Sequence, residues 1–415
     1  MKLVDTLRSG RSSRKGLGVQ VSPSAQIEWC YNRFPVKKDY RKLSLKLHKE
    51  KRGKIEIVSR LPLRNKEDLS LAYTPGVAAV SSAIATDRKL AKVFTSSKSS
   101  VAVISDGSAV LGLGNIGPEA ALPVMEGKAV LFKRFAGLDS FPIVLGTQDT
   151  EEIISAIKAI APTFGAINLE DISAPRCFEI EERLKKELDI PIMHDDQHGT
   201  AVVVLAGLIN ALKLVKKKKE GVKMVVNGAG AAGTGVTKLL SLYGFKNILV
   251  CDRTGIIGKS RKDLSPSKRD LLKITNPQNI SGSLTDALKN ADIFIGVSQG
   301  NILKSKNIKM MSSNSIIFAL ANPVPEIILE EALKGGAKVY ASGRSDLPNQ
   351  INNVLVYPGI FKGVLESGAK QITDKMKIKA AEALAGIIKS PTANKIIPDP
   401  FDKRVVRAVS EAVKK

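Results

Sequence analysis

The chain is poor in cysteine, aromatic, histidine and acidic side chains, and each shortage removes a class of protein. Its three cysteines, Cys30, Cys177 and Cys251, are odd in number, far apart and never paired as CxxC. That excludes a disulfide framework and a structural zinc knot, and fits a reducing cytoplasm. Aromatics are 5% of 415 residues, with one Trp, too few for the extended stacking platform that single-strand nucleic-acid binding requires. No uninterrupted apolar run approaches the roughly 18 residues that span a bilayer. The best candidate, AVVVLAGLINALKLV, is broken by Asn210 and Lys213, so a soluble chain with no membrane partner is expected. Acidic residues number 40 against 64 Lys and Arg, a formal charge of +24, and the first 70 residues hold 18 basic against 7 acidic side chains. Such a surface attracts anions, nucleic acid or anionic metabolites alike. Without such a platform, nucleic acid is the less favoured partner.

What is present reads as an α/β enzyme. The length implies two domains, and an apolar content of 43% with 33 glycines is ordinary for that class. Residues 1–40 are Ser-, Arg- and Lys-rich and are expected to form a flexible basic tail. After strand-like alternation in RGKIEIVSR and a turn in LAYTPGVAAV, strands alternate with helices of 12–15 residues. The strands are SSVAVIS, SFPIVLG, FGAINLEDI and IPIMHDD; the helices between them are PEAALPVMEGKAVLFKRFAG, TEEIISAIKAIAPT and PRCFEIEERLKKEL. That grammar specifies βαβ units on a parallel sheet. It repeats in KMVVN, NILVCD, DIFIGVS, SIIFALAN and KVYASG, and the chain ends in two helical segments. The expected division is 41–198 and 199–415.

Two stretches match G-x-G-x-x-G. Gly228, Gly230 and Gly233 follow the strand KMVVN directly, precede a helix, and are followed by NILVCD, which ends in Asp252. This is the complete dinucleotide fingerprint. Gly228 makes the tight turn, Gly230 admits the pyrophosphate to the backbone, and Gly233 lets helix and strand pack; Ala229, Ala231 and Ala232 fill the loop. Asp252 suits the ribose of NAD, while Arg253, Lys259, Arg261 and Lys262 beyond it could meet the extra phosphate of NADP. The other stretch, Gly112, Gly114 and Gly117, is separated from its strand by Ser105–Ser108 and followed by Pro118, so it is not a dinucleotide loop.

NLEDI sets Glu170 and Asp171 at one strand end; IMHDD sets Asp195 and Asp196 at the next, 25 residues on. Carboxylates converging there repel unless a cation joins them, and hard oxygens suit Mg²⁺ or Mn²⁺. Alternatively one aspartate merely caps the following helix. His194 and His198 read as supporting residues.

LAYTPGVA, SDGSAVLGLGNIGPEAALPVMEGKAVLFKRFAG, NLEDI, HDDQHGTA, NGAGAAG, ANPVPEI and SDLPNQINNVLVYPGIF stand in this order. Together they resemble the short, prokaryote-type, stand-alone malic enzymes over nearly all the chain but its tail. The resemblance implies an N-terminal α/β domain for substrate and metal, then a Rossmann-type NAD(P)-binding domain with C-terminal helices. It implies oxidative decarboxylation of (S)-malate to pyruvate and CO₂, with NAD⁺ or NADP⁺ reduced and Mg²⁺ or Mn²⁺ required, by a homodimer or larger homo-oligomer, the kind of assembly in which a site can be completed across chains. The metal ligands fall on Glu170, Asp171 and Asp196, the general base on Lys128 with its pKa lowered, and the general acid on Tyr73. Ser108, Asn322, Asn352 and Asn353 fall at the substrate, with Asn322 also near the cofactor. Ala109 stands where larger relatives carry a substrate-gripping arginine. Two alternatives remain open at this point: a decarboxylase of oxaloacetate or malate without net redox, and a basic nucleotide- or nucleic-acid-binding protein on the same fold.

Overall fold

Four short apolar runs form the first sheet of the computed structural model, which describes residues 39–414. The basic tail expected at 1–40, with Cys30, lies outside these residues except for Asp39 and Tyr40, which cap and open the helix Tyr40–Lys51. The strands are β1 (Ser100–Ser105), β2 (Asp139–Val144), β3 (Ala166–Leu169) and β4 (Ile192–His194), all parallel, in the order β2-β1-β3-β4. Every residue of β1, β3 and β4 is buried, because helices Pro118–Leu131, Thr150–Ile160 and Arg176–Glu187 connect successive strands and pack on the sheet. Register sets Ile104 beside Leu169 and Leu169 beside His194. The residues that follow β3 and β4 therefore leave the same edge as neighbours.

The second sheet holds β5 (Lys223–Asn227), β6 (Asn247–Asp252), β7 (Gly255–Ile256), β8 (Ile293–Gly296), β9 (Ile316–Ala319) and β10 (Val339–Ser342). Its order is β10-β9-β8-β5-β6-β7, parallel except for β7, which returns antiparallel to β6. This is a Rossmann-type winding, with its switch point where β5 lies between β6 and β8.

Helix Asp195–Val215 runs straight out of β4. It is long and apolar enough to cross a bilayer, yet most of its surface is buried against helices Ala231–Tyr243 and Asp374–Gly386. The polar interruption noted in its sequence is used: Asn210 Nδ2 donates to the carbonyls of Ala385 and Ile396, each at 2.9 Å. Edge-to-face contacts of Phe132 with Tyr357 (4.7 Å) and Phe361 (5.3 Å) tie the turn after Leu131 to helix Tyr357–Ser367.

Two expectations are corrected. RGKIEIVSR forms no strand: a period of two needs a partner edge, and Ile57 is 93% exposed. No residue from 39 to 96 is buried, although this stretch is rich in Leu, Ile and Val. The helix after HDD begins at Asp195, so both aspartates lie in its first turn, and the N-cap position belongs to His194, whose side chain makes no capping bond.

Asn210→Ala leaves the Ile396 carbonyl without its donor, while Ala385 keeps the Ile388 N–H, and should lower stability by about 1–2 kcal/mol. The midpoint of urea unfolding checks this.

Candidate active site

Glu170 and Asp171 continue from β3. The Glu170 N–H donates to the Ile104 carbonyl at 2.8 Å, which extends the β1–β3 ladder by one residue. Asp171 then takes a left-handed backbone (φ +54°), a conformation costing a non-glycine residue about 1 kcal/mol. That bend is fixed on both sides: its N–H donates to Asp196 Oδ2 at 2.8 Å, and its carbonyl accepts from Ala109 N–H at 2.9 Å. One carboxylate oxygen each from Glu170, Asp171 and Asp196 then lies within 4.8 Å of the others.

Lys128, on helix Pro118–Leu131, reaches the cluster from above the sheet. Its Nζ lies 2.7 Å from Asp195 Oδ2, 2.8 Å from Glu170 Oε1 and 4.2 Å from the centre of the Tyr357 ring, and the side chain is 8% exposed. Burial works against its charge, but Asp195 and Glu170 outweigh burial and hold Lys128 well above an ordinary lysine. With both carboxylates in contact and no cation beside them, the ammonium is the favoured form. Burial also raises the carboxyls of Glu170 and Asp171, with Asp196 adding repulsion to each, and pushes Asp195 up to about 6 despite Lys128.

Four carboxylates around one ammonium leave negative charge uncompensated, and Asp171 Oδ2 is buried with no hydrogen-bond partner. A hard divalent cation fits this donor set: it takes oxygen ligands, relieves the repulsion and occupies the open lone pair. Beneath the cluster, Glu181 accepts from His194 N–H (3.0 Å), Gln197 Nε2 (3.2 Å) and His198 Nε2 (2.9 Å). Burial pushes His198 down to about 4, so the ring is neutral, with Nδ1 facing the Lys377 ammonium at 3.1 Å. The His194 ring, by contrast, is buried with neither nitrogen hydrogen-bonded, and lies 3.7 Å from Asp196 Oδ2.

The cluster opens into a cleft of about 750 Å³ that reaches the second sheet. Lys128, Glu170, Asp171 and Asp196 line one wall; Gly230, Ala231, Ala232, Asn322, Asn352 and Asn353 line the other. An adjoining pocket of about 630 Å³ is lined by Gly228, Ala229, Gly230 and Asp252, and Ser298 faces both spaces. A Cβ on Gly233 would meet the Gly228 carbonyl at 1.7 Å, whereas one on Gly230 would meet nothing within 4 Å. Gly233 thus serves packing, and Gly230 leaves room for a ligand at the start of helix Ala231–Tyr243, which opens two residues before Gly233. Asp252 is held to about 2 against its burial by Arg261 (2.8 and 3.1 Å) and Lys268 (2.6 Å).

Family models agree with this arrangement: residues 52–185 match the malic enzyme N-terminal domain and residues 197–414 the malic enzyme NAD binding domain. The chain belongs to the malic enzyme family. It is 56% identical over 363 residues to the NAD-dependent malic enzyme of Geobacillus stearothermophilus, covering 87% of this chain and 76% of that one. It is 53% identical over 378 residues to the bifunctional malic/malolactic enzyme of Bacillus subtilis, covering 90% and 92%. Among solved structures, the NAD-dependent malic enzyme of Thermotoga maritima matches with a TM-score of 0.87 at 52% identity, covering 89% of this chain and 98% of that one.

Two residues expected at a malic enzyme site are not brought to the cleft by this chain. Tyr73 ends the helix Lys66–Ala72 and is 67% exposed. The Ser108 hydroxyl joins two loops, donating to Asp106 Oδ1 at 2.5 Å and accepting from Ser173 N–H at 2.9 Å. Of the cations expected near Asp252, Arg261 pairs with it; Lys268 does too, and was not anticipated. Tyr357 and Ser298 were also missed. Tyr357 stands inside the motif VYPGIF, and Ser298 follows β8, so position at the switch point was the available signal.

Asp196→Asn removes one oxygen charge from the cluster. Calorimetric titration with Mn²⁺ should show at least about tenfold weaker binding than wild type; an unchanged titration counts against the ligand set.

Proposed function

We propose that this malic enzyme converts (S)-malate to pyruvate and CO₂ while reducing NAD⁺ or NADP⁺. The observation that carries the reading is that one cleft holds both the Lys128–carboxylate cluster and the glycine loop at Gly230–Ala232. A divalent cation held by Glu170, Asp171 and Asp196 would polarise the C2 oxygen and draw Glu170 away from the Lys128 proton, leaving Asp195 as its remaining partner so that the amine can act as base. Lys128 takes the C2 hydroxyl proton as hydride passes from C2 to the nicotinamide. CO₂ then leaves, and the proton returns to C3 through Tyr73, so one proton is taken up and one returned. Asn322, Asn352 and Asn353 orient malate and the nicotinamide. Residues 41–198 carry the substrate half and 199–415 the cofactor half, in the cytoplasm.

Tyr73 reaches a site through a second copy of the chain. The stretch 39–96 contains no buried residue, and Leu43, Leu47, Ile57, Leu61, Leu69 and Leu71 are exposed on it. An apolar surface of that extent is expected to be covered, and a two-fold homodimer covers it twice while delivering each Tyr73 to the other site.

For the cofactor, Asp252 is tied to Arg261 and Lys268, while Lys268 and Arg253 line the adjoining pocket. That wall accommodates a 2′-phosphate as well as a ribose hydroxyl. A redox-neutral outcome is the second reading, favoured by the malolactic activity in the name of the Bacillus subtilis relative.

Three measurements test these assignments. Lys128→Ala should abolish malate oxidation and leave NADH binding within about twofold; near wild-type turnover overturns the lysine's role. Mixing inactive Tyr73→Phe with inactive Lys128→Ala and allowing subunit exchange should restore up to about a quarter of wild-type activity; no recovery argues that each site is made by one chain. Lys268→Ala should lower kcat/KM for NADP⁺ by about tenfold with a smaller change for NAD⁺.

A further inference from the structure

One buried acid lies outside the site described above. Glu326 belongs to the ANPVPEI turn after β9 and is wholly buried. Its Oε1 accepts from the Ser298 N–H and its Oε2 from the Ala321 N–H, each at 3.0 Å. These two amides sit on different turns: Ser298 follows β8, and Ala321 follows β9, immediately before Asn322. Both turns line the main cleft. The chain of contacts extends to β5, because Asn227 Nδ2 donates to Ser298 Oγ at 2.6 Å.

The backbone is cleared to admit this carboxylate. A Cβ on Gly296, at the end of β8, would lie 2.3 Å from Glu326 Cδ, and one on Gly300 would lie 2.5 Å from the Val324 carbonyl. A buried carboxylate normally has a cation beside it. Among the described residues no ion pair is recorded for Glu326, and backbone N–H groups are its only hydrogen-bond donors. The titratable group that senses its charge is Tyr340 of β10, whose hydroxyl donates to the Ile327 carbonyl at 2.9 Å; strands β8 and β9 contain no charged residue.

We propose that Glu326 is a positioning residue for the cofactor: its carboxylate clips the Ser298 turn to the Asn322 turn and so sets the width of the crevice that receives the nicotinamide. This rests on the reading that the cleft at Asn322 holds the nicotinamide. The clip works only with an ionised carboxyl, since a protonated one turns an O–H donor toward one of two N–H donors. Burial pushes Glu326 up to about 7 against its backbone hydrogen bonds. The carboxyl is therefore ionised above that pH, protonated below it, and the clip loosens as pH falls.

NADH binding without malate, followed by nicotinamide fluorescence, tests the proposal between about pH 6 and pH 8. Wild type should bind fully at the upper end and about tenfold more weakly at the lower end. Glu326→Gln, which presents an amide NH₂ to one N–H, should bind about tenfold more weakly at every pH, with no slope. Equal affinity in both proteins, or the same slope in both, overturns the proposal even if the variant is less stable. If Glu326→Gln does not fold, a flat wild-type profile overturns it and a sloping one that Gly296→Ala abolishes supports it. Wild type that fails to bind NADH at all overturns the cofactor reading itself, and this inference with it.

Discussion

The contact of one buried lysine with two buried carboxylates is the constraint on which the rest of the site depends. Lys128 pairs with Asp195 and Glu170 at once, and these residues come from a helix crossing the sheet and from the ends of β4 and β3. Removing one partner of such a buried group costs about 3–5 kcal/mol, because the other charge is left unpaired. The geometry is thus over-determined, and the strained backbone of Asp171 persists because Asp196 and Ala109 hold it from both sides. The first turn of helix Asp195–Val215 adds its N-terminal dipole, which favours the charges on Asp195 and Asp196.

From that point the chemistry follows by proximity. A carboxylate group with surplus negative charge calls for a cation, a lysine in contact with it supplies a proton carrier, and the glycine loop across the cleft supplies room for an electron acceptor. The two sheets share one logic. In each, ligand-facing residues leave the C-terminal edge next to a strand whose neighbours diverge: β1 between β2 and β3, β5 between β6 and β8. Helix Asp195–Val215 links them, carrying Asp196 at its start and packing along helix Ala231–Tyr243.

Much of this was legible in the sequence, for physical reasons. Strands buried on both faces read as continuous apolar runs, and Gly228 and Gly233 are dictated by local backbone needs, so both sheets and the glycine turn between β5 and its helix could be read directly. Glu170, Asp171 and Asp196 were legible because one βαβ repeat makes their strand ends neighbours. Asp195 was not: its partner Lys128 is 67 residues away, and nothing local distinguishes a lysine's counter-ion from a helix cap. The partners of Ser108 were not legible either, because Ser173 is 65 residues away and only the fold brings it to that hydroxyl. RGKIEIVSR misread for a different reason, since the stretch that carries it buries nothing within its own chain. Glu326 was invisible because its role lies in bringing together two turns that only the strand order makes adjacent.

The central claim is that this cluster and this loop act together on one substrate. Supplying the protein with (S)-malate, Mn²⁺ and NAD⁺ or NADP⁺, and measuring pyruvate and reduced cofactor in the same sample, tests it most directly. The account predicts that the two products accumulate in equal amounts and that neither forms without the metal. Decarboxylated product accumulating with no reduced cofactor would contradict it.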